Sequence, residues 1–171
     1  QINHPCGRLS VWFITIGVLS VLTNMTRVIS CINGPNLNLL GQREPEIYGR
    51  QTLQDIETMA RDEATLHGFD LQMHQSNSEG AIVDFLQAAR TEAAGVILNA
   101  AAYTHTSVAI HDALKSLDLP VIEVHLSNPA AREEFRSTNF IGPVVTGSIA
   151  GLGAAGYVLA VKALATLIPS S

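Results

Sequence analysis

Short apolar runs alternate along this chain with longer stretches whose apolar residues recur every three or four positions, and that alternation leaves few folds open. Val28, Ile29 and Ile32, within residues 27–33, read as a buried strand that Gly34 and Pro35 break. Leu53, Ile56, Met59, Ala60 and Ala64 then fall at helical spacing, with Thr52 and Asp55 placed as an N-terminal cap. Phe69, Leu71 and Met73 alternate as a second strand, and Ile82, Val83, Phe85, Leu86 and Ala89 return to the helical period. A third strand is expected over 95–99, a helix from about Ser107 to Leu117, and a fourth strand through Val121, Ile122 and Val124. A short charged helical piece from Ala130 to Phe135, a fifth strand around Val144, Val145 and Ile149, and a closing helix over 154–167 complete the series.

Repeated strand–helix–strand units make right-handed crossovers, so the chain is expected to be α/β, with one parallel sheet covered by helices on both faces. A flavodoxin-like strand order is preferred among such sheets, and ligands there sit beyond the carboxyl ends of the strands. The 171 residues suffice for one substantial core. Residues 25–171 are expected to form one domain, preceded by an extension over residues 1–24. Within that extension the uncharged run Leu9 to Leu22 is shorter than the roughly 20 residues that span a bilayer. It reads as upstream translated sequence ahead of a start at Met25. A packed appendage helix and a signal-peptide core are the alternatives, the latter weakened because no small-x-small cleavage site follows.

Charge narrows the function classes. Ten Lys and Arg against fifteen Asp and Glu give a net −5, so no general polyanion-binding surface is indicated and nucleic acid is a poor first partner. Cys6 and Cys31 are too few for a disulfide framework or a four-cysteine zinc site. The loop after the first strand, Gly34 to Gly41, carries neither a P-loop Lys with Ser or Thr nor a GxGxxG pattern.

The expected strand ends gather a coherent set of side chains. Asn36, Asn38, Arg43 and Tyr48 follow the first strand; Asn99, Tyr103, Thr104 and His105 follow the third; Glu123, His125, Ser127 and Asn128 follow the fourth. Arg132 and Arg136 come next, and their i,i+4 spacing would put both on one face if that piece is helical. Arginines suit a carboxylate, amides suit hydroxyl or carbonyl groups, and histidine moves a proton near neutral pH, so a small anionic, hydroxylated substrate fits. Glu123 and His125 could share a metal, but without a third ligand an orienting contact between them is favoured. Arg132 and Arg136 could instead pair with Glu133 or Glu134 on a solvated face. On spacing alone Tyr48 reads as an amphipathic lid or interface residue ahead of a base. A normal phenol, with a pKa of about 10, is ionised to roughly one part in a thousand at pH 7, about 4 kcal/mol uphill, and Arg43 nearby would help to close that gap.

At this point the chain resembles the type II 3-dehydroquinate dehydratases. The run Ile32-Asn33-Gly34-Pro35-Asn36-Leu37-Asn38-Leu39-Leu40-Gly41 followed by Arg43-Glu44-Pro45 and Tyr48-Gly49 carries the resemblance. So do Gln75-Ser76-Asn77-Ser78-Glu79-Gly80, Tyr103-Thr104-His105-Thr106-Ser107, Glu123-Val124-His125-Leu126-Ser127-Asn128 and Ala131-Arg132-Glu133-Glu134-Phe135-Arg136. The resemblance covers essentially Met25 onward.

It implies loss of water from 3-dehydroquinate to give 3-dehydroshikimate, in the shikimate route that leads to chorismate and the aromatic amino acids or in quinate breakdown. The implied fold is the same flavodoxin-like three-layer α/β/α arrangement with a central five-stranded parallel sheet. No cofactor and no metal are implied, and a cytoplasmic homo-dodecamer of trimers that needs neither nucleic acid nor membrane is. Tyr48 would take a C2 proton with Arg43 lowering its pKa, His125 would protonate the departing C1 hydroxyl, and Glu123 would orient His125. Asn36 would polarise the enolic oxygen. Asn99, His105 and Arg136, with the backbone at Leu126 and Ser127, would bind substrate. Arg132 would contact a lid, and Asp112 would reach a neighbouring subunit's site.

Two departures stand out. The usual Asn-Pro-Gly is Asn99-Ala100-Ala101 here, which would lower activity if the glycine takes a positive φ or lets substrate approach closely. His111 stands where arginine is common, a change that bears on assembly. The alternative of a different class is a catalytically impaired flavodoxin-like protein that binds small anions.

Overall fold

A computed structural model describes residues 27–41 and 50–169. The strands are β1 (Arg27–Asn33), β2 (Phe69–Gln75), β3 (Gly95–Asn99), β4 (Val121–His125) and β5 (Gly147–Ala150). The helices are α1 (Leu53–Leu66), α2 (Glu79–Glu92), α3 (Val108–Lys115) and α4 (Ala155–Leu167). All neighbouring strands run parallel, in the order β2-β1-β3-β4-β5. This is the flavodoxin-like three-layer α/β/α architecture expected from the alternation.

Side-chain alternation divides the core between the two faces. Ile29 and Cys31 of β1, Ile97 of β3 and Ile122 and Val124 of β4 pack with Ile56, Ala60 and Ala64 of α1 and with Tyr157, Ala160, Val161 and Leu164 of α4. Ile32, Val96, Leu98 and Val121 point the other way, against Ile82 and Leu86 of α2 and Ile110 and Leu114 of α3. Burying each large aliphatic side chain contributes about 1.5–3 kcal/mol, and the central strands β3 and β4 are buried along their whole length. α1 begins at the predicted cap: Thr52 Oγ1 accepts from Asp55 N at 3.1 Å, and Asp55 Oδ2 accepts from Thr52 N at 2.8 Å.

Two expectations need correction. The fifth strand lies at Gly147–Ala150, so only Ile149 of the three expected residues is in it; Pro143 follows Gly142 in a 3-10 turn over Gly142–Val144 that keeps Val144 out of the ladder. The charged piece after β4 is not one helix. It forms two 3-10 turns, Pro129–Ala131 and Glu134–Ser137, with Arg132 extended between them at φ −119°, ψ −156°. The i,i+4 argument for Arg132 and Arg136 therefore lapses, because it requires α-helical rise between them.

No helix among the described residues is long and apolar enough to cross a membrane. The extension over residues 1–24, its apolar run and Met25 lie outside the described residues.

Candidate active site

The strand order reverses between β1 and β3, and a cleft opens there beyond the carboxyl ends. It is lined by Asn36, Leu37 and Leu40 after β1, by Asn99, Ala101, Ala102 and His105 after β3, and by His125, Leu126, Ser127, Arg132 and Arg136 after β4. Eight of the expected site residues thus meet in one place. Glu123 sits beneath the cleft, fully buried and behind His125. Asp112 is exposed on α3 and does not line the cleft. Arg43 and Tyr48 lie outside the described residues.

The uncharged half of the site is stitched together by one buried phenol. Tyr157 Oη donates to Asn33 Oδ1 at 2.7 Å and accepts from Asn99 Nδ2 at 2.8 Å, which links α4 to the ends of β1 and β3. Burial holds this phenol far above the usual tyrosine range, so it stays protonated and keeps both roles. Asn99 Oδ1 accepts from Ala101 N at 3.2 Å, leaving the second Nδ2 hydrogen for a ligand. The backbones of the two strand ends touch as well: Gly34 N donates to Asn99 O at 2.8 Å, and a Cβ on Gly34 would lie 2.5 Å from Ala100 O. Only glycine allows that approach. Asn36, left-handed at φ 66°, is tied through its backbone N to Asn77 Oδ1 at 2.9 Å.

The charged half is built around Glu123. His125 Nε2 lies 2.8 Å from Glu123 Oε1. Asn139 Nδ2 donates to both carboxylate oxygens at 3.1 Å, and Ser148 Oγ donates to Oε2 at 2.8 Å. Burial pushes this carboxyl upward, but the hydrogen bond and charge of His125, with the Ser148 and Asn139 hydrogen bonds, together bring it below the ordinary range. An ionised carboxylate only accepts, so Nε2 of His125 carries the hydrogen and Nδ1 is left to serve the cleft. His105 has the opposite tautomer: its Nδ1 lies 2.7 Å from the carbonyl of Thr138, which also only accepts. Its Nε2 is then an acceptor for a ligand hydroxyl.

Arg132 and Arg136 converge on the cleft through a shared carboxylate. Glu133 Oε2 is 2.6 Å from Arg136 Nε and 3.4 Å from Arg132 Nε. The Arg136 hydrogen bond is the main reason that the Glu133 carboxyl falls to about 2. Pairing with Glu133 and lining the cleft are thus compatible, and Arg132 Nη1 also donates to Ser127 Oγ at 3.2 Å.

The Dehydroquinase class II family pattern matches residues 27–165. The chain belongs to that family. It is 53% identical over 147 residues to the 3-dehydroquinate dehydratase of Rhizobium meliloti (strain 1021), spanning 86% of this chain and 99% of that protein. It is 57% identical over 139 residues to the 3-dehydroquinate dehydratase of Hyphomonas neptunium (strain ATCC 15444), spanning 81% and 93%. Among solved structures, the type II dehydroquinase of Propionibacterium acnes superposes with a TM-score of 0.80 at 44% identity, over 83% of this chain and 98% of that one.

Within this dehydroquinase chain the feared strain at Ala101 is real: its φ is +51°, a left-handed conformation that costs an L-residue with a Cβ about 1–2 kcal/mol. His111, the other departure, directs Nδ1 to the carbonyl of Phe140 at 2.7 Å. Sequence reasoning assigns no role to Tyr157, which belongs to the family-like Gly156-Tyr157 pair near the end, or to Asn139 and Ser148. Tyr157 had one signal, a phenol set among small apolar residues whose hydroxyl needs a partner once buried. Ser148 pairs in register with Glu123, which only the β4–β5 alignment reveals. Asn139 had none.

Proposed function

We infer that this chain dehydrates 3-dehydroquinate to 3-dehydroshikimate, a lyase step of the shikimate pathway. Family membership gives the reaction. The observation that carries it to this site is the buried Glu123–His125 pair opening onto a cleft that also presents Asn36, Asn99, His105, Arg132 and Arg136.

The reaction needs a proton removed from C2 and one delivered to the C1 hydroxyl as it leaves, with an enolate between. Tyr48 is the proposed base, with Arg43 stabilising its phenolate. His125, its Nε2 hydrogen held by Glu123, delivers a proton from Nδ1 to the leaving oxygen, and that oxygen departs as water. Asn36 supplies a dipole where the enolate oxygen gains charge. Asn99, His105 and Arg136 hold hydroxyl and carboxylate groups, the backbone at Leu126 and Ser127 takes the carboxylate, and Arg132 gathers the anion or secures a closed lid. Proton transfer alone suffices, so no cofactor or metal is called for.

Assembly as a dodecamer of trimers, with Asp112 reaching a neighbouring site, is part of the same reading, as is a cytoplasmic enzyme that needs no membrane. Its service in biosynthesis or in quinate breakdown follows from the same chemistry. Residues 25–171 are proposed to be the catalytic domain. The test is to incubate the full chain, and one begun at Met25, with 3-dehydroquinate and follow the conjugated enone absorbance. Equal turnover by both supports the reading; no absorbance change from either defeats it and leaves the small-anion-binding alternative.

A further inference from the structure

Glu123 is fully buried, and the charged group that pairs with it, His125, is itself expected to give up a proton during turnover. A buried carboxylate in that position needs neutral donors to hold it in place and ionised while its partner changes charge. Those donors come from outside the strand that bears it. Ser148 reaches across from β5 to Oε2, and Asn139 bridges Oε1 and Oε2 from the strap Thr138–Phe140.

The strap is itself anchored on three sides. His105 Nδ1 donates to Thr138 O at 2.7 Å, His111 Nδ1 donates to Phe140 O at 2.7 Å, and Phe140 N donates to Thr104 O at 2.9 Å. The amide of Asn139 has a single satisfactory orientation, because its Oδ1 accepts from Ile141 N and Gly142 N, each at 2.7 Å. A flipped amide would set NH2 against two N–H donors and an oxygen against the carboxylate. The side chain therefore serves two separable ends: Oδ1 caps a turn, and Nδ2 grips Glu123.

We propose that Asn139, assisted by Ser148, is a positioning residue for the dehydration, holding the Glu123 carboxylate so that His125 keeps its hydrogen on Nε2 and presents Nδ1 to the leaving hydroxyl. This rests on the reading of His125 as the general acid. The groups facing Glu123 are His125 from its own strand, Ser148 from β5 and Asn139 from the strap.

The substitution Asn139→Asp separates the two ends, since it keeps an oxygen for the Ile141 and Gly142 N–H groups but replaces the donor with a second carboxylate. If Asn139 only caps the turn, this variant behaves as wild type. If it positions Glu123, kcat falls at least about tenfold with KM little changed, and the acid limb of the kcat profile moves up by about one pH unit or more, as expected for adjacent like charges. Nitrogen NMR of the His125 imidazole, which needs no turnover, should show loss of the dominant Nε2–H tautomer. Ser148→Ala should move the same readings in the same direction by less.

A wild-type pH profile and unchanged imidazole signals in Asn139→Asp overturn the proposal. Should circular dichroism show that variant unfolded, the same two readings on Ser148→Ala decide it. Failure of the underlying reading is distinguishable: it appears as His125→Ala retaining turnover, whatever the Asn139 variant does.

Discussion

The two halves of the cleft are held by opposite means. At the ends of β1 and β3, neutral groups lock one another: Tyr157 between Asn33 and Asn99, and Gly34 against the β3 backbone. At the end of β4 a charged pair, Glu123 and His125, is held by donors from β5 and the strap. The neutral half keeps its geometry at any moderate pH, because nothing in it titrates there. The charged half can move a proton for the same reason that it is sensitive to acid. On the proposed reading, substrate positioning and proton delivery fall to frameworks with different responses to pH.

The sharpest way to break this comparison is at the charged half. His125→Ala should lower kcat by about 10²–10⁴-fold, the usual contribution of a general acid; enone absorbance measures it, and a near-normal rate would remove His125 from the chemistry. On the neutral side the largest effect should come from Gly34→Ala. Its Cβ would meet the Ala100 carbonyl oxygen at 2.5 Å and carbon at 2.7 Å, and backbone gives way poorly, so a loss of about 1–3 kcal/mol or more is expected in urea unfolding. Tyr157→Phe should cost about 1–3 kcal/mol by leaving Asn33 Oδ1 without its phenol donor, and the loss should be the same at pH 5 and pH 8.

Acid should separate the halves further. The Glu123 carboxyl lies lower in the fold than its ordinary 4.5, so its contribution to stability is complete above about pH 4.5 and is lost as pH falls through the folded value. Urea midpoints of wild type should therefore drop below pH 4.5, and Glu123→Gln should flatten that part of the decline; an unaltered acid slope would show that Glu123 does not drive it. The smallest effect belongs to Ala101→Gly. Relief of the left-handed strain, about 1–2 kcal/mol, is offset by about 0.4–1 kcal/mol of added unfolded-state entropy, for a net gain near 1 kcal/mol or less. A destabilised glycine variant would contradict the strain argument.

Much of this was legible along the chain. The bounds of β1 and β3 follow from apolar runs closed by Gly34 and by the small residues after Asn99, and the start of α1 follows from Thr52 and Asp55. The contact between Glu123 and His125 was readable because two residues apart on a strand face the same side. The single helical piece expected from Ala130 to Phe135 does not form: its charge pattern suits a helix, but Pro129 and the extended Arg132 divide the segment into short turns.

Local periodicity and motif determined the alternating architecture and which strand ends carry amides, histidines and arginines, since both depend on neighbours a few residues apart. Tertiary structure alone decided that Tyr157 would join Asn33 to Asn99, and that Asn139 and Ser148 would close around Glu123. Those partners are separated by 124, 58, 16 and 25 residues. A hydrogen bond is satisfied by whichever group the packed sheet brings within 3 Å or so, and sequence distance places no limit on that choice.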